Sequence, residues 1–293
     1  MKKRFFPLFI LFSLIVPFNP GNVCPASLQA VAVVPDFEER SVILSVNGYA
    51  CKKGDATLKG LRKRAISQAK IQILKKTKEY LHSRTNLNGV ILKYEIVKNR
   101  FGHFVTVLDK KDYGIGHKGC CHVWIKGRVK YRLKDIETCK EDLMDQRAPL
   151  TVKVWTAKKE YKKGERVKVL VEGNRDFYGK VMIMDAEGKV VQVLPNNYRQ
   201  ISFFEKGKAY SIPGKGDKFN LEVSSPYGTE RISVYASDCP LSLRNMKTIA
   251  DGIYQYRGRV SSFDRSIRAS LSVTDNKIAE FYQGTREIVK VPR

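Results

Sequence analysis

The stretch "ATLKGLRKRAISQAKIQILKKTKEYLHSRTN" constrains the fold more than any other part of the chain. Leu58, Leu61, Ala65, Ala69 and Ile73 recur at three- and four-residue steps, and Ile66, Leu74 and Leu81 widen the stripe. That is the period of a helix with one apolar face. Asp55 is placed to cap its start. Alanine at two positions of the stripe lets the helix sit close on a sheet. Before it, "SVILSVNGYAC" from Ser41 to Cys51 alternates as a strand. After it come "GVILKYEIV", a turn at "KNRFG", "HFVTVLD", a glycine-rich loop and "CHVWIKGRVKYRL". One strand, one long helix and three strands make an α+β domain, the helix covering one face of a mostly antiparallel sheet. Its expected span is residues 31–138.

The texture changes after a polar linker at 139–149 that ends in proline. Residues 150–239 hold about eight short strand-like runs separated by turn signals, such as "AEGK" at Ala186–Lys189. Such spacing predicts an all-β sandwich. Residues 240–293 read as an extension packing on that sandwich: a short helix in "LSLRNMKTIADGIY", a loop through "SSFDRSIRASLSVTD" and a closing strand at Ile288 to Val291.

The chain opens with Lys2, Lys3 and Arg4, an apolar run from Phe5 to Phe18, and small residues up to Ala30. This is the pattern of a secretory signal peptide over residues 1–30, cleaved after Ala26 or Ala30. An oxidising compartment makes cysteines pair. Removal of Cys24 leaves Cys51, Cys120, Cys121, Cys139 and Cys239, an odd number. Neighbours in a strand face opposite ways, so Cys120 and Cys121 find different partners. The expected pairs are Cys51 with one of them and Cys139 with the other. A metal site from His117, His122 and the vicinal cysteines fits the spacing poorly.

The formal net charge of +25 falls to +22 without the leader. Residues 31–148 hold 25 basic and 13 acidic residues, net +12. The helix from Asp55 to Arg84 alone carries nine basic residues against Asp55 and Glu79. With one stripe against the sheet, Lys59, Arg62, Lys63, Lys70 and Lys76 are the expected contacts to an anionic surface. A lysine-rich coat that only keeps the protein soluble is the competing explanation.

Two resemblances add to this. "YKKGERVKVLVE", "GKVMIMDAEGKVVQVLPNNY", "AYSIPG" and "LEVSSPYGTERISVYAS" fall in order over about 150–237 and resemble the bacterial domain of unknown function 4384 family. The resemblance implies an accessory module, often joined to protease-like, kinase-like or envelope domains, with no activity of its own. "VNGYA", "GLRKRAISQAKIQIL" and "VWIKGRV", within residues 41–133, resemble more loosely the N-terminal domain of the flagellar assembly protein T group and LPP-type envelope lipoproteins. That implies an envelope-associated domain without catalytic residues; the cysteines and lysines depart from it, so a flagellar role does not carry over.

The glycines of Tyr113-Gly114-Ile115-Gly116 lack the strand-to-helix setting of a phosphate loop, and no G-x-S-x-G, H-E-x-x-H or G-K-[ST] pattern occurs. A cysteine–histidine hydrolase built on Cys121 with His103 or His122 conflicts with vicinal cysteines in an oxidising space. Pro195, Asn196 and Gly228 read as structural turn residues, with a loop ligand edge as the sharper alternative. The expectation is a secreted, non-enzymatic binding or scaffolding protein of the periplasm or outer envelope, with no catalytic residue, metal or cofactor. Its partners would be a protein, or an anionic envelope polymer or lipid met peripherally, rather than nucleic acid. The alternatives are a regulatory module for a separate protease or kinase, and a hydrolase with an unrecognised site.

Overall fold

The computed structural model describes residues 36–292 except 53, 55–56, 88–89, 117–118, 135–141 and 251. The expected leader, Asp55, His117 and Cys139 lie outside the described residues. The first part runs β1 (Phe37–Cys51), α1 (Leu58–Thr85), β2 (Asn86–Leu87), β3 (Val90–Ile91), β4 (Tyr94–Val97), β5 (Val105–Ile115) and β6 (Cys120–Leu133). The second part runs β7 (Val152–Thr156), β8 (Glu160–Lys162), β9 (Val169–Gly173), β10 (Phe177–Met184), β11 (Val190–Leu194), β12 (Phe203–Phe204), β13 (Tyr210–Ile212) and β14 (Gly228–Ser237). Then follow β15 (Met246–Ala250), β16 (Ile253–Tyr256), α2 (Val260–Ala269) and β17 (Ile278–Val291).

One long sheet runs through both parts, in the order β15-β16-β11-β10-β14-β17-β1-β6-β4, with β5 also on β6, β12 on β10 and β8 on β17. All its pairings are antiparallel except β8 with β17. A second sheet, β13-β9-β7, covers β10, β14 and β17 to close a sandwich whose core includes Val154, Val171, Val181, Val234 and Tyr282. The fold class is thus a long helix on a mostly antiparallel sheet, followed by sandwich strands. The join is β17. Its first half pairs with β1 (Ile278 opposite Leu44, Thr285 opposite Phe37), and most of its length pairs with β14 (Phe281 opposite Ser237, Lys290 opposite Gly228). The expected closing strand at Ile288–Val291 is therefore the end of a strand shared by both parts.

Two expectations for residues 240–293 are corrected. "LSLRNMKTIADGIY" holds the hairpin β15–β16 rather than a helix, and the expected loop holds α2. Phe263 and Ile267 of α2 are buried against Ile43, Tyr235 and Phe281, on the face of the long sheet opposite α1. A short polar helix such as this draws its stability from that tertiary burial rather than from propensity.

α1 is capped by Thr57, whose side chain accepts from Gly60 N at 3.2 Å, so the start predicted at Asp55 moves inward. Its buried residues are Leu61, Ala65, Ala69, Ile73, Thr77, Leu81 and Thr85, every fourth position. A four-residue row runs oblique to the helix axis, so α1 lies across the strands along one ridge. The strands make room. A Cβ on Gly48 of β1 would sit 2.2 Å from the Ala65 carbonyl oxygen and 2.8 Å from Ala69 Cβ. A Cβ on Gly127 of β6 would sit 2.5 Å from Ile73 Cδ1.

Glu39 of β1 fastens α2 to the sheet. Its carboxylate meets Arg128, Lys130 at 2.6 Å and Arg268 of α2 at 2.5 Å. Arg268 also donates to Gln283 Oε1 at 2.8 Å. Burial alone would raise the Glu39 pKa, but Arg268, Arg128 and Lys130 outweigh it and hold the carboxyl below its ordinary 4.5. On the α1 side a second polar cluster marks the seam with the sandwich. Buried Arg40 donates to Leu150 O at 2.7 Å and Thr151 Oγ1 at 2.9 Å, and Glu280 accepts from Leu150 N at 3.0 Å while pairing with Arg175.

Two outcomes follow from this packing. Gly48→Ala should lower the urea midpoint by the equivalent of about 1–3 kcal/mol through overpacking. Lys59→Ala on the exposed side of α1 should stay within about 0.5 kcal/mol, and equal midpoints would mean that the helix stands further off the sheet. A carboxyl with a depressed folded-state pKa stabilises above its unfolded pKa, and that stability fades as pH falls through the folded value. Urea melts of wild type should therefore weaken from about pH 5 towards pH 3, and Glu39→Gln should remove part of that slope. The same variant should cost about 3–5 kcal/mol at neutral pH, because three cations are left facing one another. Parallel pH profiles for the two proteins would exclude Glu39 from the acid response.

Candidate functional site

The disulfide sets the far tip of the first sheet. Cys51 and Cys120 are directly opposite in the β1–β6 pairing, with Cα atoms 3.7 Å apart, and are bonded. Cys121 points the other way, as neighbouring strand positions must, and is buried with Leu61, Ala65 and Val123 under α1. It is a free thiol, so the pairing expected for it with Cys139 is corrected: its neighbours there are apolar helix and sheet side chains. Burial first, then Asp112, pushes the Cys121 thiol pKa up, which disfavours the thiolate form.

On the outer face at this tip, His122 is stacked between Tyr49 and Tyr113, with ring centroids 4.5 Å away on each side. Its Nε2 is 2.8 Å from Asn47 Oδ1, an acceptor, so it donates there. Asp275 binds the same surface, accepting from Trp124 Nε1 at 2.6 Å, Ser45 Oγ at 3.1 Å and Asn47 Nδ2 at 3.2 Å. Those hydrogen bonds, from Trp124 above all, hold its pKa below the usual value. His122 is thus committed to ring stacking, and among the described residues no group of three or more His, Cys, Asp or Glu is placed to hold a metal ion.

The predicted anionic contacts on α1 separate. Lys59 and Lys63 are exposed, as are Arg64 and Lys78, and these four have no acidic partner among the described residues. Arg62 is paired with Asp112 at 2.6 Å, and Lys76 donates to Asn276 at 2.8 Å. Lys70 is half-buried and lines a groove of about 400 Å³ between α1, β5 and Arg265 of α2.

The structure adds a feature that the charge count missed. β4 and β5 pair end to end along the same edge of β6: Val97 lies opposite Lys130, and Val105 lies opposite Val129. The seven residues 98–104 between them are extruded from the sheet edge. Phe101 at their tip is 69% exposed, and Phe104 at their base is 39% exposed. Lys98 Nζ lies 5.3 Å from the Phe104 ring centroid, and the Arg100 guanidinium lies 4.7 Å from that of Phe101. Beside the loop, Leu74 and Lys78 of α1 and Tyr94, Ile96 and Phe104 line a shallow groove of about 300 Å³. The turn at "KNRFG" was visible in the sequence; the extrusion was not, because it depends on the register of β6.

Pro195, Asn196 and Gly228, read as turn residues with a ligand edge as the alternative, do not converge on one site. Asn196 is buried, donates to Val193 O at 2.8 Å and accepts from Tyr198 N at 2.9 Å and Arg199 N at 2.7 Å. It shapes the turn that follows Pro195. Gly228 has φ +125° beside Ala186, at the other end of β11 from Pro195. On the α2 face of the long sheet a groove of about 370 Å³ opens beside α2, with Met182, Tyr235 and Phe263 among its walls and the Arg231–Glu287 pair, 2.9 Å apart, among its lining charges. The Ser233 and Thr285 hydroxyls, 2.9 Å apart, lie in it, and none of the residues lining it is a histidine or cysteine.

Peptide mapping of the non-reduced protein should return Cys51 joined to Cys120, with Cys121 and Cys239 alkylated only after unfolding. The double variant Cys51→Ser, Cys120→Ser should lose about 2–4 kcal/mol of stability. A Cys51–Cys121 peptide would contradict the strand register.

No curated protein and no solved structure matches the chain. The resemblance of residues 41–133 to the flagellar assembly protein T group is not confirmed. Residues 160–240, which carry the sandwich from β8 through β14, match the family described as Domain of unknown function (DUF4384).

Proposed function

We propose that the chain is an extracytoplasmic, non-catalytic binding or scaffolding protein of the cell envelope, attached to an anionic partner through its first part. The observation that carries this reading is the one-sided display of Lys59, Lys63, Arg64 and Lys78 on the exposed side of α1, without acidic partners among the described residues. Such a surface raises the local concentration of anions and speeds their encounter. The Cys51–Cys120 bond suits an oxidising compartment. No described helix is long and apolar enough to cross a membrane; the attachment proposed is a peripheral one.

The test uses the whole mature chain, because β17 makes both parts share one sheet. Its binding to purified anionic envelope polysaccharide and to anionic vesicles is measured at rising salt. Wild type should bind at low salt and weaken past about 0.1 M, where the Debye length is about 10 Å. Replacing Lys59, Lys63, Arg64 and Lys78 together by glutamate should lower affinity at least tenfold, since each basic group near an anionic surface contributes about 1 kcal/mol. Salt-independent binding, or equal binding by the charge-reversed protein, would reduce α1 to a solubilising face.

A further inference from the structure

The extruded loop is built to hold one shape. Asn99 Oδ1 accepts from Phe101 N at 2.9 Å and from His103 N at 3.1 Å. Asn99 N donates to His103 O at 2.8 Å, Gly102 N donates to Asn99 O at 2.9 Å, and Asn99 Nδ2 ties the loop to Thr106 Oγ1 of β5 at 3.2 Å. Gly102 takes φ +77°, a conformation that glycine adopts without cost. This network fixes a large apolar ring in water at the tip of a turn. Continuous pairing of β4 into β5 would need none of these residues, since Val97 and Val105 already face adjacent positions of β6.

We infer that the Lys98–Phe104 loop is a lipid-contact loop, which seats the protein on an anionic bilayer by inserting Phe101 into the interfacial layer. This rests on the anionic partner proposed above and narrows it to lipid. Both halves of an interfacial contact are present. Phe101 is the apolar wedge, with Phe104 and the Leu74–Tyr94–Ile96 groove behind it. Lys98, Arg100 and, from α1, Lys78 supply the basic fringe. Arg100 lies over the Phe101 ring, so its guanidinium stays at headgroup level as the ring enters. The acids nearest in sequence to the patch are engaged: Glu95 with Lys134 at 3.5 Å, and Glu79 with Lys75 at 4.0 Å. A purely electrostatic contact with a soluble polyanion uses the charges and leaves the exposed phenylalanine without a role. A bilayer uses both, and preorganisation lowers the entropy lost on docking.

The experiment titrates the mature chain with phosphatidylglycerol-containing vesicles, with neutral phosphatidylcholine vesicles and with dextran sulfate as a soluble polyanion. Phe101 is exposed, so its variants keep the fold, which circular dichroism checks. Phe101→Ser should lower partition onto the anionic vesicles roughly tenfold, the effect of removing one buried aromatic group, and leave dextran sulfate binding unchanged. Phe101→Trp should retain vesicle binding, and its added emission, taken over the wild-type Trp124 and Trp155 background, should shift to the blue only on anionic vesicles. Vesicle binding by Phe101→Ser equal to wild type, or Phe101→Trp emission unmoved on bound vesicles, overturns insertion while the anionic-partner reading stands. Wild type that binds dextran sulfate but no vesicle overturns the lipid in favour of a polymer. Wild type that binds neither at low salt sinks both readings.

Discussion

β17 is the strand on which both parts of the molecule depend. It hydrogen-bonds to β1 on one side and β14 on the other, so the two parts meet through backbone ladders rather than through a side-chain interface. Each of its faces also serves a different layer. Tyr282 and Ile288 enter the sandwich core, whereas Ala279 and Phe281 pack under α2. Backbone pairing of this kind holds relative position more tightly than the polar interfaces usual between domains. The basic side of α1 and the sandwich are therefore carried at a fixed spacing.

On the α1 side that spacing leaves a seam between two apolar cores, and the seam is polar. Arg40, Glu280, Arg175 and Tyr282 lie there, and the segment after residue 141 crosses it with Leu150 bound through both its N–H and its C=O. Buried charges are costly unless they are paired and hydrogen-bonded. Their use here gives the connecting segment one path, which an apolar seam would not specify. Across the sheet, Glu39 plays the same part for α2 with three cations. In both places a side chain of β1 fixes an element more than a hundred residues later.

Local patterns in the sequence were legible where the physics is local. The Leu61–Ala65–Ala69–Ile73 spacing gave α1, the alternation from Ser41 gave β1, and Asp185 with Gly188 closes the expected hairpin by accepting from Glu187 N and Lys189 N. The disulfide was half legible, since strand alternation separates Cys120 from Cys121 but does not say which faces Cys51. What failed depended on distant partners. The α2 segment "VSSFDRSIRA" is a partial exception: Phe263 and Ile267 stand at helical spacing, but the helix is short and draws its stability from burial of Phe263, Ile267 and Arg268 against the sheet. β17 carries Gln283-Gly284-Thr285 in the middle of its alternation, and its role appears only when β1 and β14 flank it. The candidate site divides the same way. Its charges could be counted, but Arg62 and Lys76 are taken up by Asp112 and Asn276, and the extruded loop follows from a register no local window contains.

The pairing of β1 with β17 also bears on the order in which this protein can be completed. Synthesis proceeds from the N-terminus, and β1, α1 and β6 can assemble early, their contacts lying within about one hundred residues. The other edge of β1, from Phe37 to Leu44, waits for a strand that ends at Val291. Until then that backbone edge is open to pairing with a wrong strand, its own or another chain's. Its apolar residues on both faces, Val42 and Leu44 on one and Ile43 on the other, make it adhesive in the interval. A chain shortened by even its last strand would keep most of its residues and still expose the centre of its main sheet.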